Sequence, residues 1–260
     1  MTTVSDAPAV EVRGLSKTYG QVAALRDVSL TVGRGEIVVL LGLSGSGKTT
    51  LLRHLNGLET PSEGSLRVLG EDLTGLRGRE LRRMRGRIGM VFQQFHLVSR
   101  LTVLENVLTG ALGALRGPRL GIATYPRELR RQALTQLDRV GLLEKAYQRA
   151  DTLSGGQQQR VAIARALMQG PEILLADEPV ASLDPESSDQ VMALLREIAA
   201  ERELTVICSL HQVELALAWG RRVVGMRNGG VVLDTPAADL TREAAMRIYG
   251  RMTAAMAETT

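Results

Sequence analysis

A glycine-rich segment, residues 42–49, is the first pattern in the sequence that could do chemistry, because it reads Gly-Leu-Ser-Gly-Ser-Gly-Lys-Thr. Glycines at this spacing let backbone N–H groups wrap a phosphate, and a helix that follows adds its positive N-terminal end. Lys48 would neutralise the β and γ phosphates of a nucleotide, and Thr49 would offer a hydroxyl to Mg²⁺. A chance glycine-rich turn is the alternative. Because a buried strand is predicted before the segment and a helix over 50–56 after it, we predict a nucleotide-binding loop.

Two adjacent carboxylates, Asp177 and Glu178, follow a short apolar run at 173–176 that we predict to be a buried strand. Neighbouring side chains on a strand point to opposite sides, so we expect the pair to serve different tasks. Asp177 would hold Mg²⁺, and Glu178 would polarise an attacking water. Alone, such a pair would simply end a strand, but beside a phosphate loop we interpret it as catalytic. His211 follows a third predicted strand, 204–209, and is expected at the same sheet edge.

A second helix start with small residues before it occurs at 153–160, which read Leu-Ser-Gly-Gly-Gln-Gln-Gln-Arg. Ser154 can cap a helix that ends near Gly170 and Pro171. A capped helix and nothing more is the simplest interpretation. The chain nevertheless has two helix ends that could attract a phosphate, about a hundred residues apart. Two such ends in one chain suggest a dimer with nucleotide between the copies.

The elements that position these groups follow from hydrophobic periodicity. Valines and leucines alternate with polar residues at 10–12 and 28–32, which predicts opening antiparallel strands. The unbroken apolar runs Ile37–Leu41, 173–176 and 204–209 are typical of strands buried on both faces. Asp184 and Pro185 begin an amphipathic helix over 185–200. Strand, helix, strand in this order predicts an α/β doubly wound core, and 80–150 is predicted to be a mostly helical insertion.

Composition excludes several classes of protein. The chain has 260 residues, of which 44% are hydrophobic and 23% charged, as in a globular core beneath a solvated surface. Seven aromatic residues and one cysteine, Cys208, argue against a base-stacking surface, an internal disulfide and a thiolate cluster. Its three histidines are too scattered for a His-rich metal site. We expect no signal peptide and no spanning segment. The arginine-rich stretch 77–87 is interpreted first as a solvated face, second as a contact for anionic lipid or an acidic partner, and third as a contact for nucleic acid.

The motifs resemble, in order and over about 10–240, those of the ATP-binding subunits of ABC transporters. The Leu-Ser-Gly-Gly-Gln segment at 153–157 is highly specific for that family. The resemblance implies a P-loop NTPase (RecA-like) α/β core with an N-terminal antiparallel β-subdomain and a helical signature-motif insertion. It further implies one ATPase domain over 8–245, with a helical subdomain at about 95–160 and a short tail at 246–260.

The resemblance assigns roles to single residues around ATP and Mg²⁺. Tyr19 would stack on adenine, Gln93 would touch Mg²⁺ and the water, Glu178 would be the general base and His211 would contact the γ-phosphate. Thr49, Gln93 and Asp177 would be the metal ligands. The residues implied to hold the phosphates are Gly42, Leu43, Ser44, Gly45, Ser46, Gly47, Lys48, Thr49 and Thr50. Those implied to cap the ATP of the opposite subunit are Ser154, Gly155, Gly156 and Gln157.

The pattern departs mildly from the family at four positions, Leu43, Thr49, Val180 and Ala181, and none of these removes a catalytic group. We therefore expect an active ATPase. The segment 181–184 would cross the interface between the two copies.

The same resemblance implies partners. These are a second copy of the chain, separate transmembrane permease subunits, and a periplasmic or surface solute-binding protein reached through the complex; nucleic acid is not among them. The chain would lie peripherally on the cytoplasmic face of the plasma membrane. Residues 94–101 would contact the permease, although Phe95 and Leu97 could equally be core residues.

Residues 95–113, 211–216 and 222–234 look most like the phosphonate importers, which take up organophosphonate or phosphite-type solutes. Polar amino-acid importers are the alternative. A non-transport ABC ATPase acting on DNA or ribosomes is less favoured, because such proteins usually carry two cassettes, zinc-binding insertions or coiled coils. A passive nucleotide-binding scaffold is disfavoured by the complete set of Gln93, Glu178 and His211.

Overall fold

The computed structural model describes residues 7–115 and 121–248. Within those ranges the chain forms ten β-strands and eight α-helices. The strands are β1 (Val10–Tyr19), β2 (Val22–Val32), β3 (Ile37–Leu41), β4 (Glu63–Val68), β5 (Glu71–Asp72), β6 (Ile88–Val91), β7 (Ile173–Asp177), β8 (Thr205–Leu210), β9 (Arg222–Arg227) and β10 (Gly230–Pro236). The helices are α1 (Lys48–Leu55), α2 (Gly78–Arg85), α3 (Val103–Leu108), α4 (Arg127–Arg139), α5 (Gly155–Leu167), α6 (Pro185–Arg202), α7 (Val213–Trp219) and α8 (Arg242–Arg247).

The chain divides into two compact units, each described here by itself. The first unit joins Met1–Leu76 to Thr205–Thr260, and the second is Arg77–Leu204. The single ATPase domain over 8–245, with its helical subdomain and its tail, stays a prediction. Most of that tail, from residue 249 onward, lies outside the described residues.

An antiparallel sheet in the first unit has the strand order β2-β1-β4-β5. Val10 lies opposite Val32 of β2 and Val68 of β4, and all three side chains are buried. Apolar residues that face the same way on neighbouring strands bury one side of a sheet. The predicted opening antiparallel strands are therefore confirmed.

A second sheet in the same unit carries the order β10-β9-β3-β8. Strand β3 pairs in parallel with both β8 and β9, and all five of its residues are buried, as its unbroken apolar run predicted. Leu41, the last residue of β3, lies opposite Leu210, the last residue of β8. Whatever follows these two strands therefore leaves the sheet at the same edge.

The second unit contains a parallel pair, β6 and β7, in which Val91 lies opposite Ala176. Helices α3, α4 and α5 pack on one another, and α5 also packs on α6. The predicted 185–200 helix is confirmed as α6, with Asp184 accepting from the Ser187 N–H (2.9 Å) and Pro185 in the first turn.

Within the predicted helical insertion 80–150, the hydrophobic spacing of 101–115 is helical, but α3 ends at Leu108 and 3₁₀ turns follow over Thr109–Ala114. A Cβ at Gly110 would lie 2.1 Å from the carbonyl oxygen of Arg165 in α5. This close backbone approach, which needs a glycine, is what the periodicity did not reveal. In the described part of the chain, no helix combines the length and the apolar character that crossing a bilayer requires.

Candidate functional site

The predicted phosphate loop lies between β3 and α1 in the first unit. Helix α1 begins at Lys48, after Gly47 in a left-handed conformation (φ 104°), with no side-chain cap and no acidic residue in its first turn. The N–H groups of an uncapped helix end are natural donors to an anion. Lys48 is buried, and its Nζ donates to the carbonyl oxygens of Gly42 (2.7 Å) and Leu43 (3.1 Å). The lysine is thus folded over the loop that it would serve.

Glycines hold the loop tightly against its surroundings. A Cβ at Gly42 would lie 2.4 Å from the carbonyl oxygen of Met226, and one at Gly47 would lie 2.8 Å from that of Ala24. Gly45, with φ 80°, has open space on its Cβ side, and Leu43 and Ser44 are exposed. The loop is therefore packed on one side and open on the other, the form that a phosphate cradle needs.

Ser46 Oγ is buried and has no hydrogen-bond partner among the described residues, so a polar ligand at the loop would satisfy it. Thr49 and Thr50 follow in the first turn of α1 and are half-buried. These observations fit a bound nucleotide phosphate.

His211 follows β8 directly and is half-buried. Because Leu210 pairs with Leu41, His211 and the start of the phosphate loop leave the sheet at one edge, as the sequence predicted.

Tyr19 ends β1 in the first unit with 45% of its surface exposed. Lys17 Nζ lies 5.0 Å from its ring centroid, within the range of a cation–π contact, and donates to the carbonyl oxygen of Thr60 (2.7 Å). Burial, followed by the hydrogen bond with Glu59, raises the pKa of Tyr19. The ring remains neutral at physiological pH and is open to a stacking partner.

The carboxylate pair lies in the second unit. Asp177 is the last residue of β7 and is buried, whereas Glu178 is half-buried and left-handed (φ 45°). The pair was expected to diverge by strand alternation. Strand alternation is the wrong reason for the divergence, because β7 ends at Asp177 and Glu178 is no longer part of the strand. The left-handed backbone at Glu178 sets the direction of its side chain instead. A non-glycine residue with positive φ is strained, a feature that clusters at active sites.

Gln93 is exposed two residues after β6 ends. Since Val91 pairs with Ala176, Gln93 and Asp177 follow the same edge of the β6–β7 pair. Mg²⁺ is held in nucleotide sites by one or two protein oxygens together with substrate phosphates. A carboxylate at Asp177, an amide oxygen at Gln93 and the hydroxyl of Thr49 are donors of that kind. Across 7–115 and 121–248, no three His, Cys, Asp or Glu side chains are grouped to hold a metal ion.

The signature segment, residues 153–157, leads into α5 and caps that helix with a complete capping box. Ser154 Oγ accepts from the Gln157 N–H (3.4 Å), and Gln157 Oε1 accepts from the Ser154 N–H (3.2 Å). A Cβ at Gly156 would lie 2.9 Å from Ser187 Oγ, so this glycine lets α5 approach α6. At Gly155 a Cβ would meet Leu183 at 3.2 Å. Ser154 is exposed, as a ligand contact from a second copy requires.

A groove of about 390 Å³ in the second unit lies beside the signature segment. It is lined by Gln93, Gln94, Phe95, His96, Leu97, Ser99, Ala150, Asp151, Gln158 and Ser182. Phe95 and Leu97 are half-buried, so neither is a full core residue. Asp151 was not singled out from the sequence, whereas Gln158 lies in the 153–160 segment and Ser182 in the 181–184 segment, neither of which was linked to a groove. No local signal could have shown that these residues share a groove, because the groove joins segments about 60 and 30 residues apart in the chain.

Comparison with known proteins identifies the family to which this chain belongs. Residues 25–181 match the model of the ABC transporter family. The chain belongs to the ABC transporter family. The resemblance inferred from the motifs is therefore confirmed.

Similar proteins of this ABC transporter family cover almost the whole chain. The phosphonates import ATP-binding protein PhnC of Frankia casuarinae is 65% identical over 243 residues, covering 94% of this chain and 96% of the relative. The phosphate-import ATP-binding protein PhnC of Mycolicibacterium smegmatis is 57% identical over 247 residues, covering 95% of this chain and 94% of that relative.

Solved structures agree on the fold. An ATP-binding cassette in a dimeric post-hydrolysis state, bound to ADP and Pi, matches with a TM-score of 0.77 and 37% identity, over 88% of this chain and 98% of that one. A subunit of an ABC transporter complex from Clostridium perfringens matches with a TM-score of 0.80 and 29% identity, over 93% of this chain and 94% of that one. The α/β ABC ATPase fold expected from the sequence is confirmed.

Proposed function

We propose that this chain is the ATP-hydrolysing subunit of an ABC importer that energises uptake of phosphonates through separate transmembrane subunits. The observation that carries the proposal is the 65% identity, over nearly the full length of both chains, to a phosphonates import ATP-binding protein. The phosphate loop, with its uncapped helix end and buried lysine, supports the nucleotide part of the proposal independently.

In the proposed cycle the loop at 42–50 binds the phosphates of ATP through backbone N–H groups, Lys48 and Ser46 Oγ. Tyr19 offers its exposed ring to the adenine, and His211 donates to the γ-phosphate from the same sheet edge as the loop. Mg²⁺, held by Thr49, Asp177 and Gln93, would neutralise phosphate charge. Electrostatic stabilisation by positioned donors of this kind is the main source of rate acceleration in phosphoryl transfer.

Glu178 is proposed as the general base. It accepts a proton from the water that attacks the γ-phosphate, and its strained backbone holds the carboxylate away from the line of β7. Gln93 orients the same water through its amide. Both residues lie in the second unit, directly after the paired strands β6 and β7.

The proposed active form is a dimer in which Ser154, Gly155, Gly156 and Gln157 of one copy cap the ATP held by the other. The dimeric ATP-binding cassette bound to ADP and Pi supports this arrangement. ATP would favour the closed dimer, and hydrolysis would release it. The groove at 93–99 would receive a cytoplasmic segment of the transmembrane subunit. The complex would include a solute-binding protein, and the chain would lie on the cytoplasmic face of the membrane.

A phosphate importer is the second candidate, because the relative from Mycolicibacterium smegmatis is named for phosphate import. Both solutes are small phosphorus oxyanions, and the ATPase does not contact either. Amino-acid uptake, the alternative raised by the sequence, has no similar support among these relatives.

Uptake of labelled methylphosphonate and labelled phosphate, measured in the native cells, tests the proposal. The strains carry wild type, Glu178→Gln or Glu197→Gln as their only copy; Glu197 is an exposed acid on α6 and serves as the matched control. We expect Glu178→Gln to abolish methylphosphonate uptake and spare phosphate uptake. Selective loss of phosphate uptake would move the assignment to the second candidate. Normal uptake of both solutes with Glu178→Gln would contradict the importer proposal.

A further inference from the structure

Arg165 of α5 binds the backbone of the segment that follows Gln93. Its guanidinium donates to the carbonyl oxygens of Phe95 (2.7 Å) and His96 (2.5 Å). Burial lowers the pKa of Arg165, which nevertheless remains a cation at any physiological pH. Two charge-assisted hydrogen bonds from one rigid guanidinium fix a loop more firmly than two neutral bonds would. The loop at 95–96 is thereby attached to the signature helix.

Phe95 makes a second connection to the same helix. A Cβ at Gly155 would lie 3.8 Å from Phe95 Cζ, so the phenyl ring lies beside the first turn of α5. Phe95 also lines the groove, together with Gln158 of α5. One residue therefore contacts the groove, the signature end of α5 and, through its carbonyl, Arg165 in the same helix.

We infer that Arg165 is a positioning residue that makes the groove segment 94–99 and the signature end of α5 respond as one body. Packed side chains and hydrogen bonds carry coupling between two sites when they join elements that move together. With both carbonyls held, a segment that displaces Phe95 must also displace the helix end that carries Ser154 and Gly155. The identity of the docked segment, a cytoplasmic part of a transmembrane subunit, rests on the proposed function; the attachment itself does not.

The chain offers a matched control on the same helix. Arg160 also donates to a backbone carbonyl, that of Val140 (3.3 Å), which does not line the groove. Arg165→Met removes both donors while keeping an unbranched side chain. Arg165→Lys keeps the charge without the planar fork, and Arg160→Met removes the control bond.

Hydrogen exchange on the full chain is the first test and needs no partner. We expect Arg165→Met to speed exchange at 94–99 and at 153–158 by about ten- to a hundredfold, the ratio that loss of a hydrogen bond to a charged group gives. The exchange rates of Arg165→Lys should lie between those of wild type and Arg165→Met. Arg160→Met should leave the exchange rates of both segments near wild type. Faster exchange at 94–99 alone would overturn the coupling, as would an equal increase across the whole chain.

The second test compares ATP turnover in the assembled complex, reconstituted in liposomes with its transmembrane and solute-binding subunits. We expect Arg165→Met to leave the basal ATP turnover of the isolated chain near wild type. In the complex it should reduce the ratio of solute-stimulated to basal turnover towards one, and Arg165→Lys should restore part of that ratio. A proportional fall in basal and stimulated turnover would mean a purely structural role. If wild type itself is not stimulated by a phosphonate, the proposed substrate fails, and the exchange result still decides the role of Arg165.

Discussion

Two helix starts carry the proposed chemistry, and they are built in opposite ways. Helix α1 begins after Gly47 without a side-chain cap, whereas α5 begins with the reciprocal bonds of Ser154 and Gln157. An uncapped end leaves its N–H groups for a ligand, while a capped end has already satisfied part of its own. From this difference we propose that the phosphate loop would bind nucleotide by itself, and that the signature end would contribute only when a second copy brings an ATP to it.

Removal of the loop cation is expected to have the largest effect. Lys48→Ala deletes the positive charge held over the phosphate loop, and we expect ATP turnover to fall by about a hundredfold or more, as for other groups that stabilise transition-state charge. Steady-state ATP hydrolysis by the purified chain measures this. Lys145→Ala, which changes a lysine outside the loop, is the control. An equal, small loss in both variants would show that the uncapped end does not bind phosphate.

The close approach of α5 to α6 comes next. In Gly156→Ala the new Cβ would lie 2.9 Å from Ser187 Oγ and 3.0 Å from its Cβ. We expect a loss of about 1–3 kcal/mol in the free energy of unfolding, the range for overpacking. Urea unfolding measures the loss, and adding Ser187→Gly should recover part of it. The absence of any recovery in the double variant would contradict the steric explanation.

Two matching capping boxes sharpen the comparison further. Ser154→Ala at α5 and Thr102→Ala at α3 each remove a cap hydroxyl, and we expect each to cost about 1 kcal/mol of stability. Only Ser154→Ala should also weaken ATP-dependent dimerisation, because only that hydroxyl belongs to the signature end. Thermal unfolding and sedimentation measure the two effects. Equal dimerisation in the two variants would leave Ser154 with a purely structural role.

The smallest expected effect is a pH dependence of stability from His54. Its Nδ1 lies 2.7 Å from the Thr50 carbonyl oxygen, and burial lowers its pKa below the ordinary 6.5. Below about pH 6.5 the unfolded chain binds a proton that the folded chain resists. The free energy of unfolding therefore decreases as the pH is lowered below about 6.5, and this histidine leaves it constant at higher pH. His54→Gln should reduce this slope, which pH-dependent urea unfolding measures. Unchanged slopes in His54→Gln would refute the assignment.

The phosphate-loop region could be predicted from the sequence because its determinants are local. The buried run of β3, the glycines and Lys48 are contiguous, and the rule that strand ends meet at one sheet edge brought His211 there too. The helix at Pro185 followed in the same way from its N-cap and periodicity. Local chemistry and chain order were sufficient for these elements.

The signature region could be predicted only in outline. Ser154 was identified as a cap, but the bonds from Arg165 to Phe95 and His96 join residues 70 and 69 positions apart. The 3₁₀ turns after Leu108 likewise include Gly110, which closely approaches the Arg165 backbone of α5. No local pattern in the sequence predicted the left-handed turn at Glu178. Periodicity reports which face is buried, and it carries no information about which distant carbonyl an arginine reaches.

Sedimentation of Glu178→Gln with and without ATP tests most directly the claim that the two helix ends meet around nucleotide. Without ATP we expect a monomer of 28.1 kDa. With ATP and Mg²⁺, blocked hydrolysis should leave a dimer of twice that mass, and Lys48→Ala added to Glu178→Gln should abolish it. A dimer of the same stability with and without ATP, or a monomer under both conditions, would contradict the account.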